Sequence, residues 1–207
     1  VIYLTNPPTN DRVATYQALR IGVMLTPVMG SSATPGLRWA ADTGCFKDPD
    51  GFDLARYLTW LGRWTATAGP GLFATAPDVL GDPLETWRRS APVLPVLRQH
   101  GYAAALVSQD GLTDPDWDAF DCLFTGGTTH WKLSEAAYQL AAEARTRGKW
   151  VHMGRVNSAK RYLAAKAAGY HSADGTFVGF GPDIRLPEVG RWIDRGQQQP
   201  SIWEATG

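Results

Sequence analysis

The chain has 207 residues, 20 basic and 20 acidic side chains, and 44% hydrophobic residues. This composition fits a globular fold with a real core, and net neutrality excludes a polycationic coat for nucleic acid while leaving room for a local basic patch. The two cysteines, Cys45 and Cys122, are too few for a secreted disulfide framework or a Cys-rich zinc site. No apolar run approaches the ~20 residues of a membrane helix, and the start lacks a signal-type core, so a reducing cytoplasm is the expected setting.

Short apolar runs recur, each followed by a loop or a helical pattern. Ile2–Leu4 precedes a helix over 10–19, and Gly22–Leu25 leads into a Gly/Ser/Pro loop through Gly36. Trp39–Asp42 precedes the amphipathic stretch 52–65, Leu72–Ala76 a helix over 83–100, and Ala103–Ser108 a turn-rich segment with Pro115. Phe120–Thr125 precedes a helix over 134–147, Lys149–Met153 one over 157–168, and Tyr170–Ala173 a loop and a helix over 186–194. The runs read as buried parallel strands. Ser134 and the Asp82-Pro83 pair mark helix starts, and Gly101, Gly148 and Gly169 mark helix ends. About eight alternating strands imply a compact (β/α)₈ barrel, one domain over 1–207, with short loops because such barrels usually need about 250 residues. A doubly wound open sheet is the architectural alternative. The Gln197–Pro200 stretch reads as a loosely held end.

Polar and Gly-rich motifs fall just after the strands, where a barrel places its active-site loops. Asn6-Pro7 follows the first strand, Asp42-Thr43-Gly44 the third and Pro77-Asp78 the fourth. Gln109-Asp110-Gly111, Gly126-Gly127, His152-Met153-Gly154-Arg155 and Asp174-Gly175-Thr176 follow the fifth to eighth. Any one of these could be a cap or a turn; together they converge on one face. Three carboxylates, Asp42, Asp78 and Asp174, would then share one cavity. Glycosyl transfer needs a carboxylate to attack an anomeric carbon and an acid to protonate the leaving base. Crowding can push carboxylate pKa values apart and divide these roles. A guanine edge would find acceptors in Asp78 and Gln109, and donors in Gln109 and the Gly127 backbone, with Gly126-Gly127 allowing close approach.

The segment from Arg145 to Lys166 holds seven basic and no acidic residues. Arg155, Asn157, Ser158 and Arg161 stand at the start of a helix, a natural phosphate site, although part of this charge is ordinary solvated surface. His130, His152 and His171 read more readily as packing or surface histidines than as site residues.

At these residues the chain resembles the tRNA-guanine (queuine) transglycosylase superfamily, nearest its short phage and bacterial branch that inserts 7-deazaguanine bases into DNA. "ADTGCF" around Asp42 is similar to the family's Asp-Ser-Gly-Gly-Phe segment, and "APDVLGD" places Asp78 at its second guanine-reading Asp. "LVSQDG" is similar to its Val-Gln-Gly-Gly and implies Gln109 as a base reader. "LFTGG" is similar to its Gly-Gly element, and "HMGRVNS" with "AAGYHSADGT" to the segments leading to its nucleophile, which the likeness maps onto Asp174. The resemblance implies exchange of guanine in DNA for a 7-deazaguanine derivative through a covalent glycosyl-aspartate. Asp42 would handle the proton, Asp78, Gln109, Gly126 and Gly127 would bind the base, and Arg155, Asn157 and Arg161 would contact phosphate. It implies no cofactor. The family's C-terminal Cys/His zinc cluster has no counterpart here, so no metal is expected, and DNA is favoured over tRNA as partner. Family members tend to pair, which admits a homodimer. Trp39, Phe46 and Trp131 are candidates for the cavity wall. The competing readings are a metal-dependent hydrolase using Asp42, Asp78, His152 and Asp174, a phosphosugar- or nucleotide-binding barrel using Gly126-Gly127 and Arg155, and a non-catalytic nucleic-acid-binding barrel.

Overall fold

A computed structural model of the chain describes residues 1–29, 32–45 and 48–198. Eight parallel strands close into a barrel in sequence order. They are β1 (Ile2–Thr5), β2 (Gly22–Leu25), β3 (Trp39–Ala41), β4 (Ala74–Thr75), β5 (Ala104–Ser108), β6 (Cys122–Thr125), β7 (Trp150–Met153) and β8 (Ser172–Asp174). Closure comes from β1 pairing with β8, with Leu4 in register with Asp174. The open-sheet alternative is thereby set aside.

Eight α-helices wrap the described barrel: α1 (Val13–Leu19), α2 (Leu54–Ala68), α3 (Pro83–Ser90), α4 (Leu94–Gln99), α5 (Thr129–Lys132), α6 (Glu135–Thr146), α7 (Ala159–Ala167) and α8 (Pro182–Gln198). Among the described residues no α-helix lies between β2 and β3 or between β5 and β6, which is how so short a chain completes the fold. The single helix expected over 83–100 is two helices. Pro92 lacks the N–H a continuous helix needs, and Pro95 instead sits in the first turn of α4, where that loss costs nothing. The last helix is longer than expected and takes in Gln197 and Gln198. No described helix is long and apolar enough to cross a membrane.

Strand alternation sorts side chains into two cores. Outward residues such as Val23, Leu106, Leu123, Val151 and Ala173 meet the helices in one continuous cluster. Inward residues Leu4, Ala40, Phe73, Ala105, Val107, Cys122 and Phe124 fill the lumen. The lumen is therefore a packed floor, and a cavity opens at its C-terminal mouth. Helix starts are fixed as the sequence indicates: Asp82 Oδ1 accepts from Glu85 N (2.9 Å) and Ser134 Oγ from Ala137 N (3.2 Å).

The turn after β8 is locked to its neighbours at Gly175. A Cβ there would overlap Val156 O, Asn157 Oδ1 and Tyr3 Oη, the first and last of which are joined by the Tyr3 hydroxyl donating to Val156 O (2.9 Å). Two of the three are backbone-bound or buried, so they cannot yield cheaply. Gly175→Ala is expected to cost about 3 kcal/mol of stability, measured by chemical denaturation; an unchanged midpoint would contradict this packing.

Candidate active site

The cavity at the barrel mouth holds about 260 Å³ and is lined by residues from all eight strand ends or the loops that follow them. That is close to the lower end of small-molecule clefts. Asp42, Asp78 and Asp174 all line it, and so do Gly126, Gly127 and Arg155. Its apolar wall is Met24, Leu80, Val107 and Phe124.

Asp174 ends β8, and its side chain is 18% exposed. It is held from inside the barrel. Trp150 and His152 point into the lumen from β7, Ser172 and Asp174 from β8. An indole N–H can only donate, so Ser172 Oγ accepts from Trp150 Nε1 (2.8 Å) and turns its own hydrogen to His152 Nδ1 (2.8 Å). That leaves the His152 Nε2–H to donate to Asp174 Oδ1 (3.0 Å); the tautomer follows from the network. His152 is fully buried and wedged between Phe73 and Phe124, with ring centroids at 5.0 and 4.4 Å. The imidazole cannot turn, so one carboxylate oxygen of Asp174 is fixed and the other is left for the cavity.

Asp42 follows β3. Its Oδ1 accepts from Gly44 N (2.9 Å) and, more weakly, from the Thr75 hydroxyl (3.5 Å). Burial raises its pKa, Gly44 opposes, and the negative charge of Asp174 adds to the rise. Asp78 follows β4. Burial and then the charge of Asp42 push its pKa up to about 7, against the Gln109 hydrogen bond and the charge of Arg155. The charge of Asp174 thus acts on Asp42 and that of Asp42 on Asp78, and Asp78 is the carboxyl group that retains a proton near neutral pH.

Several expected site residues stand elsewhere. Gln109 is fully buried and does not line the cavity. Its Nε2 donates to Asp78 Oδ2 (2.8 Å) and its Oε1 accepts from Gly81 N (2.9 Å). Both ends of the amide are spent, so it braces the Asp78 loop rather than reading a base. Gly126 spends its N–H on Ser108 O (3.0 Å). Gly127, at φ +69°, lets the chain pass where a Cβ would overlap Asp110 Oδ2. Asn157 is turned away: its Oδ1 accepts from Phe177 N (3.2 Å). The Arg161 guanidinium donates to Arg155 O (3.2 Å) and does not reach the cavity wall. Of the three residues expected to hold phosphate, only Arg155 lines the cavity.

The proposed aromatic walls also move. Trp39 packs on the outer side of the barrel, its Nε1 donating to Gly69 O (3.0 Å). Trp131 joins the same outer core, and Phe46 lies outside the described residues. His130 is exposed. His171 is structural. Its Nδ1 accepts from Val151 N (3.0 Å), its ring stacks on Trp150, and burial together with Arg145 lowers its pKa to about 4.

Sequence reasoning missed Lys132. It is 4% exposed yet lines the cavity. The one signal available was a lysine in a stretch, 122–134, with no acidic residue to pair with it. Among the described residues, no three His, Cys, Asp or Glu side chains converge as a metal site. The ligand set of the hydrolase reading also fails on a positive ground, because both ring nitrogens of His152 are already bonded to Ser172 and Asp174.

No family model and no curated protein matches the chain. Solved structures do. A mandelate oxidase variant with a C4a-OH-FMN adduct is 14% identical, covering 94% of this chain and 72% of that one at a TM-score of 0.57. A mandelate oxidase with benzoyl-formic acid is 12% identical over 95% and 72%, TM-score 0.58. Tryptophan synthase from M. tuberculosis is 13% identical over 95% and 92%, TM-score 0.53. At such identities the likeness is one of architecture, and what this chain has in common with them is the closed (β/α)₈ barrel.

Proposed function

We propose that this barrel is a base-exchange transglycosylase, replacing guanine in DNA with a 7-deazaguanine derivative by way of a covalent bond between Asp174 and the sugar C1′. The observation that carries the reading is one rigidly held carboxylate, Asp174, on the same cavity as two carboxyl groups with raised pKa values, Asp42 and Asp78, the latter at about 7. The target nucleotide leaves the duplex, because its glycosidic bond is otherwise out of reach. Asp42 and Asp78 face the polar edge of the base and pass a proton to it as it departs. The Gly127 backbone passes close to the base. Asp174 attacks C1′ and releases guanine; the incoming base then returns its proton to the Asp42–Asp78 pair as the glycosidic bond reforms, with retained configuration. The apolar wall of Met24, Val107 and Phe124 keeps water from the intermediate.

Incubating the purified chain with DNA and isotope-labelled guanine is the direct test, with nucleosides read by mass spectrometry. Labelled deoxyguanosine in DNA is the expected result. If neither DNA nor tRNA acquires label, while the chain and its Asp174→Asn variant bind DNA alike, the non-catalytic barrel is the better description. A second expectation concerns His152, which acts through Asp174. His152→Phe keeps the lumen filled but removes the N–H, and is expected to slow exchange about 10- to 100-fold, by analogy with other orienting partners, with guanine affinity little changed. His152→Gln, which retains a donor, is expected to recover part of the rate. Equal loss in both variants would mean that His152 matters only as packing.

A further inference from the structure

The cavity has two cationic side chains that the base-exchange chemistry does not use, Lys132 from α5 and Arg155 from the loop after β7. Lys132 has a nearly buried side chain. Its Nζ donates to Gly127 O at 2.8 Å, and among the described residues this is its one hydrogen-bond acceptor; no carboxylate lies within ion-pair distance of it. An ammonium carries three N–H donors, and a buried charge held by one neutral carbonyl is poorly compensated. Arg155 is close enough for its charge to act on Lys132. Thr5 Oγ1, buried and lining the same cavity, has no hydrogen-bond partner among the described residues.

We propose that Lys132 and Arg155 hold a phosphate of the nucleotide whose base lies against Asp42 and Asp78, so that the cavity selects nucleotides over nucleosides and free bases. This rests on the base-exchange reading for the identity of the base, though not for the anion. The charge of Arg155 acts against that of Lys132, and a tetrahedral anion held by both would turn that repulsion into charge-assisted hydrogen bonds. The neighbours agree. Burial lowers the pKa of Lys132 to about 8, Arg155 and Arg161 push it the same way, and Asp174 and Asp110 oppose. Asp42 and Asp78 are the other titratable groups on the cavity. A bound anion would favour the charged ammonium further. The position also explains why Asn157 and Arg161 can be spent on protein contacts: the phosphate sits across the β6 and β7 loops rather than at the start of α7.

Titration calorimetry with inorganic phosphate, deoxyguanosine and dGMP tests this on the whole chain. The expected result is dGMP bound at least about tenfold more tightly than deoxyguanosine, as charge-assisted bonds to a phosphate would give. Lys132→Met is expected to erase that gap and the binding of inorganic phosphate, while leaving deoxyguanosine affinity unchanged. Equal affinities for dGMP and deoxyguanosine in the unmutated chain, or a gap that survives Lys132→Met, would overturn the subsite and leave the base reading standing. Lys132-dependent phosphate binding with no affinity for either guanine compound would uphold the subsite and remove the base reading. Should Lys132→Met not fold, the unmutated chain decides. Phosphate affinity should fall between about pH 7.5 and 9.5 as the ammonium is neutralised, and a flat profile would overturn the proposal.

Discussion

Asp174→Ala is expected to abolish incorporation of labelled guanine into DNA, with a loss of about 10⁴-fold or more, since removal of a covalent nucleophile leaves only binding and polarisation. No other carboxylate can stand in. Asp42 is turned to Gly44 and Thr75, and Asp78 is clamped by Gln109, whereas Asp174 alone is presented by a donor from the lumen. Asp174→Asn should keep the fold and the affinity for DNA, because an amide oxygen can still accept from His152. With a trapped substrate, the unmutated chain should carry a sugar adduct on the peptide containing Asp174, read by mass spectrometry, and Asp174→Asn should carry none. Exchange retained in Asp174→Ala would remove this residue from the chemistry.

Asp78→Asn is expected to move activity and stability in opposite directions. A positioned proton donor contributes roughly 10²–10⁴-fold, so a loss near the middle of that range is anticipated. The pH dependence follows from the raised pKa of about 7. On the proposed mechanism guanine release needs a protonated Asp78, so in the unmutated chain its rate should be level below about pH 7 and fall about tenfold per unit above it. For stability, the folded chain holds the Asp78 proton between the ordinary carboxylate value and about pH 7 while the unfolded chain has lost it. Stability therefore declines as pH rises through that window, and the cost is complete above it. Asn still accepts from Gln109 and carries no charge. It should thus be about 2 kcal/mol more stable than Asp at pH 8 and little different at pH 4, the figure being reduced for partial exposure. Urea melts at the two pH values check this. A variant less stable at pH 8 would mean that the carboxylate is better solvated than its surroundings indicate.

Much of the barrel and its three acids was legible because the signals are local. Asp42, Asp78 and Asp174 each stand at or within a few residues of the end of an apolar run, and parallel strands bring such ends to one face. Pro92 and Pro95 were legible as well, and should have divided the helix over 83–100. Parity would have placed Trp39 correctly. It lies three positions before Asp42, an odd interval, so on a strand the two face opposite sides. What could not be read is how a polar group is spent. Gln109 has the register of a site residue, but nothing local says that its amide closes on Asp78 and Gly81. Lys132 lies beyond β6 on a helix of four residues, and its burial exists only once α5 and α6 have packed.

Because Asp174 takes its orientation from the row Trp150, Ser172 and His152 beneath it, alignment of the attacking oxygen does not depend on the rim of the barrel. On the proposed mechanism, a change in the rim loops would leave the aim of the reactive atom undisturbed. Changes that alter which substrates enter are accordingly separable from changes that alter the speed of bond making, and the rim can be re-engineered for new targets while the shaft below is left intact.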